Sequence, residues 1–156
     1  VIKIKILCID QATKISGYSV FNNNNLDTYG LLSVNDKEKN PIERMKQMND
    51  KIIALINNVN PNYIVFENVQ FQNNYGTFQQ LSQLQGVIMS YLFTSDIGFT
   101  IIEPTAWKSF CGIKGRKREE QKLNTKKFVK EKYNVDVSED EADSIGIGYW
   151  AINHIK

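Results

Sequence analysis

The stretch Ile4-Lys5-Ile6-Leu7-Cys8-Ile9-Asp10-Gln11-Ala12-Thr13-Lys14-Ile15-Ser16-Gly17-Tyr18-Ser19-Val20-Phe21 opens as an apolar run that stops at a carboxylate. Residues 2–9 predict a buried strand and Gly17–Phe21 a second. Leu26–Val34 predicts a third, joined to the second through Asn22–Asn25. Asparagine tolerates left-handed backbone geometry, so that run suits a hairpin turn. A strand ending on an acid recurs in Tyr63-Ile64-Val65-Phe66-Glu67.

The segments between and beyond these strands carry helical periods. Asn40 is placed to cap a helix that has Pro41 in its first turn and Ile42, Met45, Ile52, Leu55 and Ile56 on one stripe. It ends near Asn60-Pro61, because proline disfavours helical backbone in the residue before it. A second helix is expected over Gly76–Phe93, where Phe78, Leu81, Leu84, Ile88, Tyr91 and Leu92 recur at spacings of three and four. A short fifth strand, Phe99–Ile102, precedes Pro104 and a small helix around Trp107. A basic helix over Lys117–Tyr133 and an apolar one from Asp140 onward complete the chain. Mixed strands with helices to cover both faces imply an α/β fold of three layers around a five-stranded sheet. Residues 1–156 read as one domain.

Composition is that of an ordinary globular chain, 42% hydrophobic and 23% charged. No apolar run approaches the roughly 20 residues that span a bilayer, and Lys3 and Lys5 interrupt the first run too soon for a signal peptide. Cys8 and Cys111 have no metal or redox spacing and read as reduced thiols of a cytoplasmic protein. Net charge is only +2, but its distribution is uneven. Lys114 to Lys132 holds nine basic residues against three acidic, which makes that segment +6 and the remainder −4. A basic strip on a mildly acidic body is the footprint of a nucleic-acid backbone contact, or else a solvated lysine-rich helix.

Four carboxylates lie where burial makes them expensive. Asp10 and Glu67 end apolar strands, and Asp140 and Asp143 open the segment Asp-Glu-Ala-Asp-Ser-Ile-Gly-Ile-Gly-Tyr-Trp. Ligand sites in open α/β sheets lie at the carboxyl ends of strands, where Asp10 and Glu67 would meet. Asp140 and Asp143, three apart, share a helical face. Capping alone could explain that last pair, but it does not explain acids at two strand ends. Oxygen donors converging from distant segments suit hard divalent cations.

These motifs together resemble the RuvC family of Holliday-junction resolvases, within the RNase H-like superfamily, and its phage-type members in particular. Ile6–Val20 is similar to the family's first strand-turn-strand motif, Ile64-Val65-Phe66-Glu67-Asn68-Val69 to the second, and Asp140–Ile147 to the closing DxxD helix. The resemblance spans nearly the whole chain and implies an RNase H-like fold. It implies that Asp10, Glu67, Asp140 and Asp143 are the metal ligands. Lysines near the scissile phosphate in the family match Lys108 and Lys122; the resemblance implies Lys122 as the catalytic cation, with the Lys114–Arg118 loop offering competitors. Two departures stand out. The Pro-Gly that often follows the first acid is Gln11-Ala12 here, so that turn is shaped differently. The junction-opening aromatic of bacterial members falls on Gln70, with Phe71 beside it as the alternative wedge.

The implied activity is that of a magnesium-dependent endodeoxyribonuclease with two Mg2+ ions per site, for which Mn2+ substitutes. It would cut four-way junctions, with forks as the alternative branched substrate, by paired symmetric incisions that leave 5′-phosphate and 3′-hydroxyl ends. Two symmetric cuts call for a homodimer, and the Gly76–Phe93 helix is the candidate contact. Lys108, Lys114, Arg116, Lys117, Arg118 and Lys122 would bind DNA phosphates, with Gln70, Phe71 and Tyr75 at the junction centre. His154 lies beyond the acidic cluster and has no part in this chemistry. Other readings share the fold: an RNA–DNA hybrid hydrolase acting as a monomer, or a junction-binding module without catalysis. An actin-like sugar kinase or ATPase would need a further glycine-rich phosphate turn and a longer chain.

Overall fold

The structure, a computed structural model, describes residues 3–35 and 37–155. Residue 2 of the expected first strand, and residues 1, 36 and 156 of the expected domain, lie outside the described residues. The elements follow the expected order: β1 (Lys5–Asp10), β2 (Ile15–Asn22), β3 (Asn25–Ser33), α1 (Pro41–Val59), β4 (Tyr63–Glu67), α2 (Tyr75–Phe93), β5 (Gly98–Ile102), α3 (Pro104–Cys111), α4 (Arg118–Tyr133) and α5 (Glu139–His154). One sheet runs β3-β2-β1-β4-β5. The first three strands form an antiparallel meander, while β4 and β5 run parallel to β1. Among the described residues no helix is long and apolar enough to cross a membrane.

Local chemistry sets most element ends. Asn23 and Asn24 take positive φ, 50° and 70°, and close the β2–β3 hairpin. The Asn40 side chain accepts from the N–H groups of Ile42 and Glu43, and Asn60 ends α1 in the left-handed region at φ 51°. The last helix starts one residue earlier than expected, and for an instructive reason. Ser138 caps it and Glu141 completes a capping box, so neither Asp140 nor Asp143 is spent on the helix end.

Alternation along the strands divides the interior into two layers. Leu7 and Ile9 of β1 with Ile64 and Phe66 of β4 face α1 and α2, meeting Met48, Ile52, Ile56, Leu84, Ile88 and Leu92. Ile6, Cys8 and Val65 face the other way, against Trp107 of α3 and Ile147 and Ala151 of α5. Phe21 packs on that same side with Val129, Ala142 and Ile145. By this parity Asp10 and Glu67 belong to the α5 face. The parallel register, Ile9 opposite Phe66, makes them neighbours at the strand ends.

Helix α5 lies unusually close to the sheet because glycines line the contact. A Cβ on Gly17 would stand 2.1 Å from the Asp140 carbonyl oxygen, and one on Gly148 would stand 2.0 Å from the Phe21 ring. Ser19 Oγ also donates to the Ser144 carbonyl at 2.7 Å. Gly17 pairs with Asp10 across β1–β2, so the absent side chain lets the start of α5 settle beside the first acid.

Candidate active site

The carboxyl ends of β1 and β4, the loop after β4 and the start of α5 enclose a cleft of about 780 Å³. Asp10, Glu67, Asp140 and Asp143 all line it, together with Lys108 from α3 and Arg118 and Lys122 from α4. Three remote segments thus deliver their acids to one basin. Lys122 Nζ lies 3.8 Å from Asp143 Oδ2 and 3.6 Å from Glu139 Oε2. Lys108 Nζ donates to Gln121 Oε1 at 3.2 Å, and Arg118 donates to Gln72 Oε1 at 2.9 Å.

The balance of charge in the cleft is unfavourable to its acids. Burial raises the Asp10 carboxyl well above the usual range, and Glu67, Asp143 and Asp140 raise it further, with Lys122 acting the other way. Asp143 is pushed up to about 7 by burial, against the pull of Lys122. Glu67 and Asp140 are raised for the same primary reason, desolvation. The cations present do not offset four clustered carboxylates in a low-dielectric pocket.

Glu67 differs from the other three. Its Oε2 accepts the indole N–H of Trp107 at 2.6 Å, and its backbone carbonyl accepts from Gln85 of α2 at 3.1 Å. No group of three or more acidic, imidazole or thiol side chains among the described residues is arranged to hold a metal ion as it stands. The chemistry of the donor set nevertheless fits hard divalent ions: four desolvated carboxylates, short of positive charge, over one opening.

The other expected site residues divide. Lys108, Arg118 and Lys122 line the cleft, as do Gln70 and Phe71 from the loop after β4. Lys114, Arg116 and Lys117 do not; they are exposed before and at the start of α4, with Lys117 as its first flanking residue. Gln70 is tethered rather than free. Its Nε2 donates to Glu103 Oε2 at 2.9 Å, and Asn68 Nδ2 donates to Glu103 Oε1 at 2.6 Å. Phe71 is 59% exposed and packs edge-on against Phe78, ring centres 5.7 Å apart. His154 stacks on Trp150 at 4.4 Å and is not among the residues lining the cleft. Burial raises the thiols of Cys8, well above its ordinary value, and of Cys111, to about 12.

Sequence reasoning missed Trp107 as a partner of Glu67, Glu103 as a tether, and Gly17 as the gap that admits α5. A tryptophan or a glycine in a short sequence window gives no sign of which distant atom it will meet.

A mixed five-stranded sheet flanked by helices, with Asp10 and Glu67 at the ends of adjacent parallel strands, is an RNase H-like arrangement. The family described as crossover junction endodeoxyribonuclease RuvC matches residues 6–154. The chain belongs to the RuvC family, and its class of activity is that of a Holliday-junction resolvase. It is 25% identical over 156 residues to the crossover junction endodeoxyribonuclease RuvC of Finegoldia magna, covering 97% of this chain and 93% of that protein. Among solved structures it is similar to Thermus thermophilus RuvC in complex with Holliday junction substrate, with TM-score 0.70, 14% identity and coverage of 97% and 96% of the two chains. Fowlpox virus resolvase in complex with Holliday junction DNA gives TM-score 0.66 and 17% identity, over 98% of this chain and 100% of the other.

Proposed function

We propose that this protein resolves four-way DNA junctions by metal-dependent hydrolysis of one phosphodiester in each of two symmetry-related strands, in the cytoplasm of its cell. The observation that carries the reading is the single cleft that gathers Asp10, Glu67, Asp140 and Asp143 beside Lys122. Asp10, Glu67, Asp140 and Asp143 would hold the two Mg2+ ions. Mn2+ substitutes. Ions held there would supply an activated water for attack and offset charge on the leaving 3′ oxygen. Lys122 faces the phosphate and stabilises its added charge at the point of attack. The products carry 5′-phosphate and 3′-hydroxyl ends.

Recognition divides into two layers. Lys108, Arg118 and Lys122 hold the strand within the cleft, while Lys114, Arg116 and Lys117 on the exposed approach supply salt-dependent attraction. Gln70 and Phe71 stand at the mouth, and Phe71, being exposed, is placed to wedge the branch point. Helix α2 supplies the homodimer contact. Leu84, Ile88 and Leu92 bury one of its faces, while Tyr75, Val87 and Phe93 remain exposed at 67%, 39% and 71%. Two copies joined through those faces present two clefts to one junction.

The test is incubation of the pure protein with Mg2+ and labelled four-way, forked and RNA–DNA hybrid duplexes. Paired nicks at symmetric positions in the four-way substrate are expected. Asp10→Asn should abolish them while leaving junction binding intact or tighter, since phosphate repulsion falls. Preferential cutting of the hybrid by a monomer would replace this reading with that of a hybrid hydrolase.

A further inference from the structure

Of the four acids in the cleft, Glu67 alone has its carboxylate hydrogen-bonded among the described residues. Among the described residues Asp143 has one ion-pair partner, Lys122 at 3.8 Å, which is beyond hydrogen-bond distance. The donor to Glu67 is an indole, a group that can only donate. Trp107 is itself fully buried. It is clamped on the α5 side, where a Cβ on Gly146 would stand 2.5 Å from the six-membered ring. It also packs with Ile6, Cys8, Val65 and Ile147. The ring therefore has one orientation, and its N–H has one target.

The chemistry of this pairing is specific. A neutral donor at 2.6 Å occupies one lone pair of Oε2 and fixes the carboxylate plane. It leaves Oε1 and the outer lone pair of Oε2 for a cation. A lysine or arginine in the same place would compete with the ion by its charge; an indole does not. The Gln85 bond to the Glu67 carbonyl holds the backbone from the opposite layer, so the strand end is fixed independently of the side chain. Removing the N–H would free the carboxylate without moving β4.

We infer that Trp107 is a positioning residue that makes Glu67 the fixed post of the metal site, towards which the less constrained Asp10, Asp140 and Asp143 close when an ion binds. This rests on the metal-dependent reading proposed above and adds to it a residue with no charge of its own. Groups that orient ligands from behind typically change metal affinity about 10–100-fold when removed. Trp107→Phe deletes the donor and keeps an aromatic ring in the layer, with the loss of part of the buried indole.

The experiment compares Mn2+ binding, followed by electron paramagnetic resonance, in the wild-type protein, Trp107→Phe and Asp10→Asn. Circular dichroism and thermal unfolding show whether each variant is folded. The expected result for folded Trp107→Phe is Mn2+ affinity about tenfold weaker or more, with cleavage recovering as metal is raised. In parallel, the Trp107 indole N–H resonance of the native 15N-labelled protein, told from that of Trp150 with Trp150→Phe, is followed as Mg2+ is added. It should begin far downfield and shift with saturation. This second measurement stands even if Trp107→Phe fails to fold. Unchanged Mn2+ affinity in folded Trp107→Phe, or an indole resonance that ignores saturating Mg2+ while Asp10→Asn loses binding, would overturn the positioning role and leave the metal site standing. If Asp10→Asn binds Mn2+ as tightly as wild type, the metal site itself is refuted.

Discussion

Replacing Asp143 by asparagine should stabilise the metal-free protein while destroying its activity. In the fold the Asp143 carboxyl is pushed up to about 7, chiefly by burial, from an ordinary value of 3.8. A folded-state value above the unfolded one means the native state binds the proton more tightly. The associated stability is fully present below the unfolded value and is lost as pH rises towards 7. Above that, the ionised native carboxylate carries the whole penalty. At about 1.4 kcal/mol per pH unit of displacement the ceiling is about 4 kcal/mol. The acids titrate together and Lys122 loses an ion partner in the variant, so a gain of about 1–3 kcal/mol is expected at pH 8. For a chain of this length that corresponds to about 2–10 °C in Tm. The assay is urea or thermal unfolding of both proteins in EDTA at a series of pH values from 4 to 8. The variant's advantage should be near zero at pH 4, grow through the window between 4 and 7, and level off above it. Mg2+ should shrink the gap, because an ion that binds only the native wild-type site stabilises it by mass action. An Asp143→Asn protein that is less stable than wild type at pH 8, or a gap independent of pH, would refute the reasoning.

Three further outcomes follow from the same geometry. Gly17→Ala should cost about 1–3 kcal/mol or more in urea unfolding, because its Cβ would stand 2.1 Å from the Asp140 carbonyl; Gly86→Ala on α2, where nothing lies within 4 Å of the added carbon, should instead gain up to about 1 kcal/mol. Lys122→Ala should slow single-turnover cleavage about 100-fold while weakening junction binding only about threefold; equal losses would make it a mere anchoring contact. Replacing Lys114, Arg116 and Lys117 together by alanine should reduce the slope of log affinity against log salt by about 2–3, with saturated cleavage preserved; an unchanged slope would remove the exposed approach from the DNA path.

Helix α4 illustrates how far charge patterning reaches. The basic segment is evident in the chain, yet the fold splits it: Arg118 and Lys122 turn into the cleft, whereas Lys114, Arg116 and Lys117 stay outside it. A linear charge count cannot divide them, because the division depends on where α4 begins and on how it packs beside α5: Lys114, Arg116 and Lys117 lie in the loop before it. The last helix shows the converse. Asp140 and Asp143 could have been ordinary capping acids, but Ser138 and Glu141 take that duty and leave both acids to the cleft.

The strands, the hairpin at Asn23-Asn24, the α1 cap at Asn40 and the four acids could be read from the chain alone, because each depends on neighbours within a few residues or on a short period. Distances decided the rest. That Trp107 would restrain Glu67, that Glu103 would hold Gln70, and that an absent side chain at Gly17 would seat α5 beside Asp10 are contacts across 40, 33 and more than 100 positions respectively. Such pairings arise from how the layers pack, and packing is a property of the whole interior rather than of any segment of it.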